Sequence, residues 1–401
     1  MYAFKPYVFT EHSPNSIAKP EGRMKSKIRC DGKNLYIYSG EDPTVVTHRR
    51  ESGNVFSVSS KPEFRDIWVY NLAKQQWRLM TIDSNLPDIN DFIVGTIFES
   101  NSLFICTIRK PFNRELSSRK CRLHICDLNT ESILVQGTSG HIPCPPSAVN
   151  FIRHEKYFYI VGVEENYGYF SDVYKLNMEN GVWEVDYISQ GLNDHIRDAR
   201  MNPTLVYDNN MIYKFDGYSS DFELDELYLD EISAFDLEKR CWKIVNTLGD
   251  ENHMPHYPSQ RKDFGLTSYT DPDSGEVNVI ISGGKDYEYR DTLDDVWRLN
   301  LTSLKWSCLQ RFGAVLPHHV ENHSMTVSPA GKLFTFGGHI SINMEDGTCS
   351  STLHSTWLRI PKLEDICWEA VFHYYPDLKS MTDKEIMSLG LPLQLLKSRI
   401  N

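Results

Sequence analysis

Short runs in which apolar and polar residues alternate fill the chain to about residue 360, each bounded by Gly, Asn, Asp or Ser. Period-two alternation between turn residues predicts β-strands rather than helices. The runs recur in one order. A first apolar strand leads to a second that ends in Gly or a Gly pair. A loop follows, then a third strand of the form Asp-x-hydrophobic, and finally a strand holding a Trp. The second strands read NLYIYSG (34–40), SLFICT (102–107), YFYIVG (157–162), MIYKFDG (211–217), NVIISGG (278–284) and KLFTFGG (332–338). The third strands read DIWVYNL (66–72), RLHICDL (122–128), DVYKLNM (172–178), EISAFDL (231–237), DVWRLNL (295–301) and HSTWLRI (354–360). Closing tryptophans stand at Trp77, Trp183, Trp242 and Trp306.

A four-stranded unit of this kind cannot bury both of its faces alone, so such units stack radially and each covers its neighbour. Glycine at the end of the second strand gives the backbone a positive φ where it turns beside the next unit. The large aromatic of the last strand fills the wedge between units. In spacing and residue type the unit resembles the kelch repeat, whose period is about 50 residues. The resemblance is degenerate: only Gly283–Gly284 and Gly337–Gly338 keep the full glycine pair, and the second unit has Thr107–Ile108 there and no tryptophan. Six units in series predict an all-β fold, a six-bladed kelch β-propeller with a short C-terminal α-helical tail. The sixth unit lacks an outermost strand, because Pro361 and a helical pattern follow its third. The β-prone segment Phe4–Phe9 is therefore expected to pair with the strand at 354–360 and to close the ring, which removes an exposed edge. The expected organisation is a closing segment at 1–18, the propeller at 19–360 and a helical tail at 361–401. Long loops at about 41–64, 218–230 and 340–353 interrupt the blades, the first carrying His48, Arg49 and Arg50, and loops are where binding surfaces are usually built.

Composition narrows the function classes. With 21 Tyr, 19 Phe and 8 Trp in 401 residues the chain has ample material for a large core. A formal charge of −12 opposes binding to a phosphate backbone, so no nucleic-acid partner is expected. The nine cysteines are odd in number and none are spaced as CxxC, which suits reduced thiols rather than disulfides or a zinc site. The N-terminus has no basic stretch followed by an apolar run, and no segment is long and apolar enough to span a bilayer. A soluble protein of the cytoplasm or nucleus is expected, with no membrane association.

After residue 360 the period changes. In PKLEDICWEAVFHYYP the apolar residues Leu363, Ile366, Cys367, Ala370, Val371 and Tyr374 recur at helical spacing, so an amphipathic helix should start after Pro361 and stop before Pro376. Thr382 and Glu385 form a capping-box pattern for a second helix to about Leu389, with Gly390 as its C-cap. Pro392 can open a third, ending near Arg399. Leu363-x-x-x-Cys367-x-x-x-Val371 resembles the box by which ubiquitin-ligase substrate receptors bind elongin C: a Leu, a small residue and an aliphatic one on a single face. Leu391-Pro392, at the end of SLGLP (388–392), resembles a Cullin-2 box. The tail as a whole, and the propeller with it, is similar to the kelch-domain-containing protein 10 family. That resemblance implies a substrate-recognition subunit of a Cullin-2–elongin B/C ubiquitin ligase, with elongin C, elongin B and Cullin-2 as partners. It also implies that a substrate's C-terminal degron enters the propeller mouth and that its carboxylate meets arginines. Arg200 in RDARMNP, Arg261 in SQRKDFG and the nearby Arg197 are the candidates, whereas the matching places in the second and third units hold Asp88 and Pro145.

Catalytic chemistry finds no support in the pattern. There is no HxH or HExxH, so the 14 histidines, densest at His318, His319 and His323, carry no metal-ligand spacing of the sort a copper oxidase would need. GxSxG, Walker and kinase signatures are missing too. No catalytic residue, metal or cofactor is expected. The competing expectation is a kelch interaction scaffold without ligase association, whose tail serves only to stabilise the propeller.

Overall fold

In the computed structural model, the described residues are 2–13, 18–43, 47–51, 54–58, 63–82, 86–87, 91–109, 121–143, 149–165, 168–189, 204–215, 228–286, 291–341, 347–375, 378 and 381–390. Six antiparallel sheets of four or five strands form the blades. In the first, Lys27–Cys30, Asn34–Tyr38, Ile67–Asn71 and Gln76–Leu79 lie in chain order from the inside outward. The fourth (Thr204–Asp208 to Cys241–Asn246) and the fifth (Gly265–Thr270 to Lys305–Cys308) repeat that order. The second and third each take a fifth strand, Val149–Asn150 and Ser139–Gly140 respectively, both paired in parallel. The 41–64 loop holds a two-stranded hairpin, Thr47–Glu51 with Asn54–Val58.

The core lies between blades, and its clusters run round the whole ring. Leu35, Ile37 and Tyr70 of the first blade pack on Phe334 and Phe336 of the sixth, while Tyr36, Tyr38 and Val69 on the opposite face pack on Leu103 and Ile105 of the second. Further clusters join the second, third and fourth blades, the fourth and fifth, and the fifth and sixth. Each closing tryptophan reaches back into the preceding blade. Trp306 Nε1 donates to the Leu229 carbonyl and to Thr247 Oγ1, Trp242 Nε1 to the Ser171 carbonyl and Trp183 Nε1 to Thr138 Oγ1. Trp77 packs instead on Phe336 of the last blade, with ring centroids 5.8 Å apart.

Glycine pairs seat the next blade. Gly284 N–H donates to the Val320 carbonyl and Gly338 N–H to the Arg23 carbonyl, each at 2.9 Å. A Cβ on Gly337 would sit 2.3 Å from the Arg23 carbonyl oxygen, so no side chain fits there. Where the pair is eroded the strand behaves differently. With Thr107–Ile108 the second strand of blade two runs on to Arg109, and with only Gly162 that of blade three bulges between Val161 and Val163.

The ring closes with N-terminal chain, but not over residues 4–9. Thr10–His12 is the strand that pairs with Leu353–Trp357, in the register Thr10 to Ser355. Pro6 has no N–H to give a ladder, and Tyr7 takes φ 64°, so the regular pairing starts only beyond them. Tyr7 N–H still donates to the Trp357 carbonyl, and Tyr7 and Phe9 pack against the core between the fifth and sixth blades.

Strand direction sorts the connections. The lead-ins to the inner strands and the loops between second and third strands share one end of the ring, and the tight hairpins share the other. The chain leaves Trp357 at the hairpin end, so the tail starts opposite the long loops.

Candidate functional site

Pro361 is buried, and Leu363–Tyr374 follows it as a 12-residue helix with Lys362 as its N-cap. Lys362 gives no side-chain cap, but Glu364 and Asp365 in the first turn complement the positive end of the helix. Two opposite faces result. On one, Asp365 and Trp368 are buried and Glu369 and Phe372 half-buried, with Trp368 only 7% exposed and packed with Leu378 further along the tail. Leu363, by contrast, is 74% exposed, and Cys367 is exposed one turn along the same side. Val371, the third residue of that stripe, is half-buried beside Trp368 and Leu378. Within this chain it is the Trp368 side of the helix, not Leu363 and Cys367, that is covered.

Glu369 holds the helix on the sixth blade. Its Oε1 accepts from Lys332 Nζ at 2.6 Å and from Trp357 Nε1 at 2.7 Å, and its Oε2 accepts from the Tyr2 hydroxyl at 2.9 Å. Burial pushes the Glu369 carboxyl up, but the Lys332 charge and the three donated hydrogen bonds outweigh it and hold the group below the usual carboxylate range. Tyr2 N–H also donates to the Tyr374 hydroxyl at 2.8 Å. Downstream, the capping box forms as the spacing predicts. Thr382 N–H donates to Glu385 Oε2 at 2.7 Å, Glu385 N–H to Thr382 Oγ1 at 3.4 Å, and Asp383–Ser388 is helical. Gly390 follows with φ 81°. Leu391 and Pro392 lie outside the described residues, as does the expected third helix.

At the loop end, Arg261 is 1% exposed and all five of its N–H donors are taken. The guanidinium grips Asp295 with two parallel bonds, that to Oδ2 being 2.7 Å, and also donates to the Ser259 and Gly283 carbonyls and to Ser259 Oγ. The expected partnership of Arg261 with a substrate carboxylate therefore needs correcting: no donor is left for one, and the residue ties its lead-in to the third strand of its own blade. Arg23 repeats the arrangement in the first blade. It bonds bidentately to Asp66 at 2.5 and 3.1 Å and to the Glu21 and Ser39 carbonyls. In both braces the carboxylate also accepts from an indole two residues on, Trp68 or Trp297, at 2.7 Å. The signal was present in the sequence, since DIW and DVW each follow an Arg placed four residues before an inner strand. Arg197 and Arg200 lie outside the described residues.

Among the described residues no group of three or more His, Cys, Asp or Glu is placed to hold a metal ion. His323 is buried beside Ser282, with Nε2 and Oγ 2.8 Å apart, and burial lowers its pKa to about 4, which keeps the ring neutral. Glu369, Tyr2 and Lys332 are the residues of this region that sequence reasoning missed, because nothing local marks a carboxylate whose partners lie 12, 37 and 367 residues away.

A family model described as the KLHDC2/KLHL20/DRC7 Kelch-repeats domain matches residues 189–374. Kelch domain-containing protein 10 homolog of Drosophila melanogaster is 25% identical over 408 residues, covering 98% of this chain and 64% of that protein. Kelch domain-containing protein 10 of Rattus norvegicus is 25% identical and that of Homo sapiens 24% identical, each covering 94% of this chain and 86% and 79% of the relative. Host cell factor 2 of Homo sapiens is 24% identical over 54% of this chain. The chain thus spans just under two thirds of the fly relative and more of the mammalian ones.

Proposed function

We propose that this chain, a kelch-repeat propeller similar to Kelch domain-containing protein 10 over nearly its whole length, is the substrate-recognition subunit of a Cullin-2–elongin B/C ubiquitin ligase. Kelch propellers bind protein partners, and the loop end offers the surface for a substrate. The tail supplies the connection to the ligase. One observation carries the reading: the helix Leu363–Tyr374 is seated by one face while the Leu363–Cys367 face, which fits an elongin C box, stands open to solvent. A helix serving only to cap the propeller would turn its Leu inward. The small Cys367 between Leu363 and Val371 lets a partner approach the helix backbone closely. Elongin B enters through elongin C, and Cullin-2 would meet the segment that holds Leu391 and Pro392.

The receptor itself does no chemistry on this reading. It raises the effective concentration of a substrate lysine beside a charged conjugating enzyme, in cytoplasm or nucleus. With Arg261 committed to Asp295, a degron carboxylate would have to be met by other groups, and Arg197 and Arg200 are the candidates the sequence offers. Calorimetric titration of purified elongin B/C into the full chain tests the docking. Burying a Leu side chain is worth about 1.5–3 kcal/mol, so Leu363→Ser should weaken binding by roughly one to two orders of magnitude, and Cys367→Phe should do the same by steric block. Binding equal in both variants and the parent chain assigns the tail to the propeller alone and leaves a kelch scaffold.

A further inference from the structure

Glu369 stands on the opposite side of the helix from the docking stripe. At about 100° per residue it is roughly 160° round from Cys367. Its three donors come from the closing blade strand by strand: Lys332 opens the second strand, Trp357 ends the third, and Tyr2 lies on the lead-in to the N-terminal strand that completes the blade. Lys332 and Trp357 are direct cross-strand partners, and the ammonium also lies 5.2 Å from the Trp357 ring centroid. The Trp357 carbonyl in turn accepts from Tyr7. One carboxylate is thereby fastened to two neighbouring strands of the closing blade and to the N-terminal segment that completes it, and the bond from Tyr2 forms only when that segment is in place.

We infer that Glu369 is a positioning residue, which fixes the direction of the docking helix relative to the propeller and makes that direction depend on ring closure. The inference rests on the proposed ligase role for its consequence but not for its geometry. A substrate held at the loop end can meet a conjugating enzyme reproducibly only if the arm between them is stiff, and the Trp368 cluster, which joins residues of the tail to one another, does not by itself fix the helix on the propeller. The fastening is specific in kind. It needs an anionic acceptor that serves an ammonium, an indole N–H and a phenol at once, so glutamine restores the shape and one acceptor but not the charge.

The test uses the full chain, with spin labels on non-natural azide side chains at exposed Ser303, in the hairpin end of blade five, and at exposed His373 on the helix. For Glu369→Ala, the width of the label-to-label distance distribution should at least double, and amide exchange across residues 363–374 should speed up about tenfold. Glu369→Gln should fall between that and the parent chain. Elongin B/C affinity should stay within about threefold, since the stripe is untouched. A narrow, unshifted distribution in Glu369→Ala overturns the inference, as does a large loss of elongin affinity with the helix still rigid. Failure of the parent chain to bind elongin B/C would sink the ligase reading instead, and the distance measurement on the free chain would still decide the role of Glu369.

Discussion

Arg261 and Asp295 illustrate how a charged side chain near a binding face becomes part of the frame. The guanidinium is 1% exposed and the carboxylate 17%, so the pair works where water screens little. Removing one partner strands the other, and the loss of a buried pair's partner typically costs about 3–5 kcal/mol. Asp295→Ala should therefore lower the unfolding free energy by that much, read from urea titration, and Trp297 loses its indole acceptor in the same step. Replacing both partners, as Arg261→Met with Asp295→Leu, should recover a large part of the loss, because no charge is then left uncompensated. A change below about 1 kcal/mol in Asp295→Ala would mean that Arg261 has other acceptors and is free to serve a ligand. What local sequence could offer at this scale was the residue type and its distance from the inner strand. The repeated pairing of that Arg with a later DIW or DVW is the trace the brace leaves in the sequence, but Asp295 lies 34 positions from Arg261 and only the fold shows that the two meet.

At the scale of elements, period-two alternation located the second and third strands of all six blades, and the tryptophans proved to be wedges between them. The closing strand was legible in kind but displaced. The apolar run at 4–9 pointed to pairing, while Pro6 and the positive φ of Tyr7 shift the ladder to Thr10–His12. Deleting residues 2–12 exposes the edge of Leu353–Trp357, uncovers the core that Tyr7 and Phe9 pack against, and removes the Tyr2 bond to Glu369. Stability should fall by about 2 kcal/mol or more, seen as a lower melting temperature, together with faster amide exchange in both the sixth blade and the helix 363–374. An unchanged melting temperature would contradict closure by this segment. The helix shows the same mixture of success and limit. Its span and one of its faces were readable from a 3.6-residue period, but its seated face is held by a carboxylate and an indole that no apolar period registers.

The molecule as a whole separates two surfaces. Long connections gather at one end of the ring, and the tail departs from the other through a blade that the N-terminal chain completes. On the proposed ligase role, this separation would let substrate and ligase be held at once without competing for surface. The sequence could suggest both ends through repeat and box, whereas the fastening between them appears only in three dimensions. On the proposed role, the exposed Leu363–Cys367 side of the helix connects the propeller to a Cullin-2 ligase. The most direct test of this connection is quantitative mass spectrometry of proteins captured from cell extract by the full chain and by its Cys367→Phe variant. Elongin C, elongin B and Cullin-2 should be recovered with the parent chain and lost together from the variant, while other captured proteins stay. Equal recovery of the three with both chains, or with neither, would contradict it.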